Sequence, residues 1–376
     1  MRNTVFQHWF RWLASATAAL LTFGIAPHTA APSTTPTPVS AQSLTPQQLA
    51  GQRVIYSYTG LTPPSTLIQR IKAGEAAGVI FFGDNISNDV QISSVIQQLD
   101  QANAQSPVKQ PLLLMTDQEG GEVRRLPGEP TQSEKTIGAS GNPSGEAATA
   151  GKDAGQNLAS VGMNLNLAPV LDVFRTPGDF DDQYQRSYSS DPNVAAEAGR
   201  AFVTAQQQTG VAATVKHFPG LGAATASQNT DAQPVTLNVS QSDLRNIDEL
   251  PYSSAISAGV KLVMVSWAVY PALDPTYPAG LSSTIVQGEL RNRLGFTGVT
   301  ITDALEAGAL KNFGSDSQRG VASASAGMDL IMCASGQVSQ GDNVENGLAA
   351  ALANGQLGSA AFNASVNRIA ALRNSL

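Results

Sequence analysis

At 376 residues the chain is longer than an average domain, yet an α/β barrel routinely fills a chain of this size. Hydrophobic residues make up 42% and charged residues 14%, which supplies a large core and leaves too little charge for a disordered chain. A formal net charge of -7 without any basic run excludes a nucleic-acid partner, because phosphate contact needs clustered Lys and Arg.

The N-terminus reads differently from the rest. Arg2 and Arg11 precede an apolar run over residues 12–26, and a stretch of Pro, Thr and Ser then ends in the small-x-small pattern Val39-Ser40-Ala41. Residues 1–41 are expected to be a secretory signal peptide, because the run falls short of the roughly 20 residues of a membrane span. The mature chain is then secreted or associated with the cell envelope, without a span of its own. Residues 42–50 read as a short linker and residues 51–376 as one folded domain, expected to be a monomer. The sole cysteine, Cys333, follows the apolar run Leu330-Ile331-Met332, so it cannot form an internal disulfide and is expected to act as a small buried hydrophobe.

Eight short apolar runs follow in chain order. They begin at Val54-Ile55-Tyr56, Val79-Ile80-Phe81, Leu112-Leu113-Leu114, Leu165-Asn166-Leu167, Ala213-Thr214-Val215, Leu262-Val263-Met264, Val299-Thr300-Ile301 and Leu330-Ile331-Met332. The segments between them are long enough for helices. One of these, residues 193–208, is Ala-rich and Gln-rich and has Ser190-Asp191-Pro192 as its start signal. Strands that alternate with helices imply a parallel sheet, and eight such units imply a closed (β/α)8 barrel of the TIM type.

Polar residues stand directly after the strands. Asp117 follows the third, Asp172 the fourth, Lys216 and His217 the fifth, Ser266 and Trp267 the sixth, and Asp303 the seventh. A barrel brings these positions to one rim, the rim where this fold carries its active sites. Singly, Asp172 and Ser266 read equally well as helix caps or turn formers.

Histidine content narrows the chemistry. His8 and His28 lie in the expected signal peptide, which leaves His217 alone in the mature chain. A two-histidine zinc site is therefore excluded, and a single cysteine offers no thiolate cluster in its place. There is no Gly-x-Ser-x-Gly elbow and no phosphate-binding glycine loop. Carboxylates, one lysine, one histidine and arginines remain, an inventory suited to glycoside hydrolysis without a metal or organic cofactor.

Lys216-His217-Phe218-Pro219-Gly220 closely resembles the signature of the bacterial β-N-acetylhexosaminidases of glycoside hydrolase family three, and the proline separates that branch from the family's β-glucosidases. Four more segments agree in order and spacing: Thr116-Asp117-Gln118-Glu119-Gly120-Gly121 with Arg125, Leu167-Ala168-Pro169-Val170-Leu171-Asp172, Arg186-Ser187-Tyr188, and Ile301-Thr302-Asp303-Ala304-Leu305. The resemblance implies that Asp303 is the nucleophile of a retaining double displacement. It also implies that Asp117, Arg125, Arg186, Lys216 and His217 hold a 2-acetamido sugar, a terminal N-acetylglucosamine of an oligosaccharide substrate. In that branch the acid/base is a histidine two residues beyond an aspartate, on the loop after the fifth strand. Here Asp231 takes the aspartate position and Gln233 stands where the histidine is expected. Glutamine cannot carry a proton, so Asp231 becomes the candidate acid/base, on an Ala-rich and Gly-rich loop expected to swing it inward. The alternatives are a secreted sugar-binding protein that has lost the chemistry and a β-glucosidase.

Overall fold

The computed structural model describes residues 44–376. The expected signal peptide lies outside the described residues. Within the expected linker, Pro46–Gly51 form a short helix instead: Thr45 accepts the Gln48 N–H, Gln48 reciprocates, and Ala50 enters the core.

The eight barrel strands are β1 (Val54–Tyr56), β2 (Gly78–Ile80), β3 (Leu113–Thr116), β4 (Leu165–Asn166), β5 (Ala212–Phe218), β6 (Leu262–Val265), β7 (Val299–Thr302) and β8 (Ile331–Met332). All pair in parallel, each with its neighbour in sequence, and β1 pairs with β8. Closure rests on the parallel bridge between Ile301 and Leu330, where Leu330 N–H donates to Thr300 at 2.9 Å and Thr302 N–H to Leu330 at 3.0 Å. Each expected run falls on a strand to within a residue or two.

Alternation along the strands sorts side chains into two apolar layers. Ile55, Ile80, Met115, Leu262, Met264 and Ile301 fill the barrel interior, while Val54, Tyr56, Val79, Leu114, Val263 and Val265 face the surrounding helices. Each such fully buried aliphatic side chain contributes about 1.5–3 kcal/mol. Cys333 belongs to the outer layer and is fully buried.

Local signals fix the helices. α1 (Pro143–Val161) starts at Asn142, whose side chain accepts the Gly145 N–H, and stops at Gly162 with φ 94°. α2 (Pro192–Gln207) starts at Asp191, which caps the Asn193 N–H at 2.9 Å, one residue from the expected start. The two pack closely because Gly151 has no side chain: a Cβ there would lie 2.3 Å from the Phe202 carbonyl oxygen.

β5 carries the irregularity that shapes the site. Val215 pairs with Val263 and Phe218 with Val265, so three steps on β5 oppose two on β6. This extra residue is a β-bulge. Val215 and Phe218 both face the outer layer, and the intervening Lys216 and His217 both turn to the barrel mouth.

Candidate active site

A cavity of about 390 Å³ opens at the rim where the strands end. Asp117, Arg125, Arg186, Lys216, His217, Asp231 and Asp303 all line it. Ser266 and Trp267 do not. Ser266 accepts the Ala268 N–H at 3.0 Å, a turn role, and buried Trp267 donates its indole N–H to the Ala304 carbonyl at 2.8 Å, bracing the segment that carries Asp303.

Glu119 is the hub of the positive groups. Lys216 Nζ lies 2.7 Å from Glu119 Oε1 and 2.7 Å from Asp117 Oδ1. Arg186 grips both Glu119 oxygens, at 2.8 and 2.9 Å, and reaches Asp181 Oδ1 at 2.6 Å. Burial by itself raises a carboxyl pKa, but the charges of Arg186 and Lys216 prevail here and hold Glu119 at about 2. Its ionised form therefore stabilises the fold above the ordinary value of 4.5, and that stabilisation is lost as the pH falls toward about 2. Glu119→Gln is expected to cost about 3–5 kcal/mol at neutral pH, the penalty for breaking a buried ion pair. Urea unfolding at several pH values checks this, since the gap from wild type must narrow as the pH drops through that window.

His217 Nδ1 sits 2.7 Å from Asp172 Oδ2, and Asp172 also accepts the backbone N–H groups of Leu221 at 2.5 Å and His217 at 3.3 Å. Burial opposes ionisation of both groups. Their mutual attraction, reinforced by the two N–H donors, overrides it, lowering the Asp172 pKa and raising that of His217. Asp172 is thus an orienting partner for the imidazole. Asp181 is fully buried and pushed up to about 6 by burial, with Arg186 opposing. Among the described residues, Asp172, Asp181 and His217 bring potential ligand atoms within 4.8 Å of one another, the geometry a cation would need. The close Asp172–His217 hydrogen bond accounts for much of that clustering.

Arg125 differs from the other cations. Among the described residues it has no ion-pair partner, and its Nε is buried without a hydrogen-bond acceptor, which leaves the guanidinium available to a ligand.

The two carboxylates of interest arrive from different loops. Asp303 follows β7, is half-buried, and accepts the Ala304 N–H on Oδ1 at 2.7 Å. Asp231 comes from the loop after β5. It keeps solvent access, yet desolvation at the cavity wall, followed by the charge of Asp303, pushes its carboxyl above the usual range. The loop is already docked and does not stand open: Gly308 and Ala309 N–H groups donate to the carbonyls of Asp231 and Thr230, at 2.7 and 2.9 Å. Gln233 does not line the cavity. Its amide is exposed and donates to the Ser227 carbonyl at 2.9 Å.

Sequence reasoning gave Glu119 and Asp181 no role. Glu119 stands two residues after Asp117 in Thr116-Asp117-Gln118-Glu119-Gly120-Gly121, and Asp181 lies in the run Phe180-Asp181-Asp182 before Arg186. Glu306, three residues after Asp303, also lines the cavity, and burial raises its carboxyl pKa.

Comparison with known proteins shows the family of the chain. A secreted glycosyl hydrolase of uncharacterised activity from the fungus Arthroderma benhamiae is 45% identical over 329 residues, covering 87% of this chain and 93% of the relative. The resemblance is therefore not confined to bacteria. Beta-hexosaminidase A of Pseudoalteromonas piscicida is 32% identical over 72% of this chain, which spans about half of that relative (48%). Among solved structures, a family 3 beta-N-acetylglucosaminidase from Paenibacillus superposes with a TM-score of 0.83 at 33% identity, covering 89% of this chain and 63% of its own. A beta-N-acetylhexosaminidase from Beutenbergia cavernae gives 0.80 at 29% identity, covering 88% and 99%. The Glycosyl hydrolase family 3 N terminal domain matches residues 48–372, nearly the whole described barrel, and the chain belongs to that family of glycoside hydrolases.

Proposed function

We propose that the chain is a secreted, retaining exo-glycosidase that removes terminal β-linked N-acetylglucosamine from cell-wall fragments or chitin-type oligosaccharides. The observation that carries this reading is that Asp303 and Asp231 line one cavity together with a cluster of cations. Asp303 attacks the anomeric carbon and forms the covalent glycosyl-enzyme. Asp231, its pKa raised, gives its proton to the departing oxygen and then takes one from the incoming water. Arg186, Lys216 and His217 bind the sugar's hydroxyl and acetamido groups, while Asp117 and Arg125 take the distal hydroxyls.

Side-by-side assays of aryl β-N-acetylglucosaminide and aryl β-glucoside test the reading, with a preference for the first expected. A mechanism-based fluorosugar is expected to label Asp303. Absence of both turnover and label would sink the proposal. The sugar-binding alternative drew its support from Gln233, whose side chain is occupied by Ser227 and away from the cavity. Gln233→His is accordingly expected to leave kcat/KM unchanged on disaccharides, whereas a tenfold gain would restore position 233 to the chemistry.

Gly308 offers a test of the docked loop. A Cβ there would lie 2.3 Å from the Ala232 carbonyl oxygen and 2.9 Å from that of Asp231. Gly308→Ala therefore displaces the segment that carries Asp231. We expect roughly tenfold or greater loss of kcat/KM on disaccharides, a fraction of the full acid-catalysis factor, with an unfolding midpoint close to wild type.

A further inference from the structure

The cavity's 390 Å³ lies near the lower end of the roughly 300–1,000 Å³ of ordinary ligand pockets, so the far residues of a long oligosaccharide extend beyond its mouth. The leaving sugar must also lie on the side of the acid that protonates its oxygen, which in the reading above is Asp231.

An aromatic pair stands beside that loop. Phe180 lines the cavity, and Tyr184, one helical turn later, meets it edge-to-face with ring centroids 5.7 Å apart and an interplanar angle of 77°. Phe180 is buried, while Tyr184 is 44% exposed, one of few large apolar side chains so open to solvent. The segment is fastened to the loop after β5. Phe180 N–H donates to the Ala224 carbonyl at 2.8 Å, and the Gln183 amide donates to the Ala226 carbonyl at 3.0 Å. The ring pair and the acid therefore sit on two segments joined by hydrogen bonds.

We propose that Phe180 and Tyr184 form the binding platform for the leaving-group sugar, with the pyranose ring of a β-linked disaccharide lying on the exposed face of Tyr184. A pyranose has an apolar face of C–H groups and a rim of hydroxyls, and a partly exposed tyrosine matches both with its ring and its phenol. The second exposed aromatic of the rim, Tyr277, serves as the control. It is 47% exposed and pairs with Phe313, and that pair has no member in the cavity lining, whereas Tyr184, itself outside the lining, is joined to it through Phe180.

The proposal rests on the glycosidase reading, and its test separates the two. Calorimetry in an Asp303→Asn background compares N-acetylglucosamine with N,N'-diacetylchitobiose, while the otherwise wild-type enzyme is assayed on the disaccharide and on N-acetylglucosaminyl fluoride, whose leaving group needs no platform. Tyr184→Ala is expected to weaken disaccharide binding roughly three- to tenfold, the scale of one aromatic contact, and to lower disaccharide kcat/KM by a similar factor. Monosaccharide binding and fluoride hydrolysis stay at the wild-type level, as does every readout of Tyr277→Ala. Equal losses on both ligands, or none on the disaccharide, would overturn the platform. Sugar binding with the expected disaccharide gain but no turnover would overturn the glycosidase reading alone.

Discussion

Asp303→Ala is expected to abolish hydrolysis of every β-N-acetylglucosaminide, aryl glycosides with good leaving groups included, by roughly 10⁴-fold or more, as deletion of a nucleophile does elsewhere. The side chain makes a single local hydrogen bond, to Ala304 N–H, so the variant should fold with little change in stability. Sugar binding through Lys216, Arg186 and Arg125 should persist, which calorimetry can read. Truncation to alanine also opens space beside the anomeric carbon. Added azide should enter it and form the α-glycosyl azide from an activated β-substrate, a product of inverted configuration that identifies the missing group. Wild-type turnover within tenfold, or azide rescue without inversion, would remove Asp303 from the nucleophile's role.

Asp231→Ala is expected to separate substrates by leaving group. General acid catalysis supplies about 10² to 10⁴ in rate, so disaccharide hydrolysis should fall by that factor, while an aryl glycoside with an acidic phenol keeps most of its rate of first bond cleavage. The pH dependence carries a sign. Burial and the neighbouring charge of Asp303 raise the Asp231 pKa, so its protonated form persists to higher pH than an ordinary carboxyl. Disaccharide kcat/KM should therefore fall as the pH rises through that raised value, and the variant should lose this alkaline limb. Equal losses on both substrate types, or an unchanged limb, would pass the role to another cavity group, of which Glu306 is the nearest in kind.

The barrel was legible because each strand is a short apolar run and the rim is a row of polar residues just after such runs. Ile55 and Leu262 needed only alternation to be placed. The role of Glu119 was hidden, since its partner Lys216 lies on β5 and its partner Arg186 on the loop after β4, 67 residues away in sequence. No local pattern reveals such a contact. Sequence placed Gln233 two residues beyond Asp231, where the resemblance expects a histidine, but did not show where its side chain goes: in the turn at residues 229–233 Ala232 and Gln233 N–H groups both donate to the Asn229 carbonyl, and the Gln233 amide donates to the Ser227 carbonyl. The loop composition suggested a swinging motion; it did not reveal the backbone bonds from Gly308 and Ala309 that join this loop to the one after β7.

The bulge in β5 works as a phase shift in a two-beat pattern. A regular strand would aim either Lys216 or His217 at the cavity and the other at the helices. One surplus residue opposite Met264 lets neighbours in sequence become neighbours in function. Deleting a flanking residue such as Val215 would restore an even rhythm with β6 while sending one of the two outward among apolar side chains. The pair can be varied in chemistry at its two positions, but its length is fixed. Substitution is the only kind of change this strand can absorb without dismantling the mouth of the barrel.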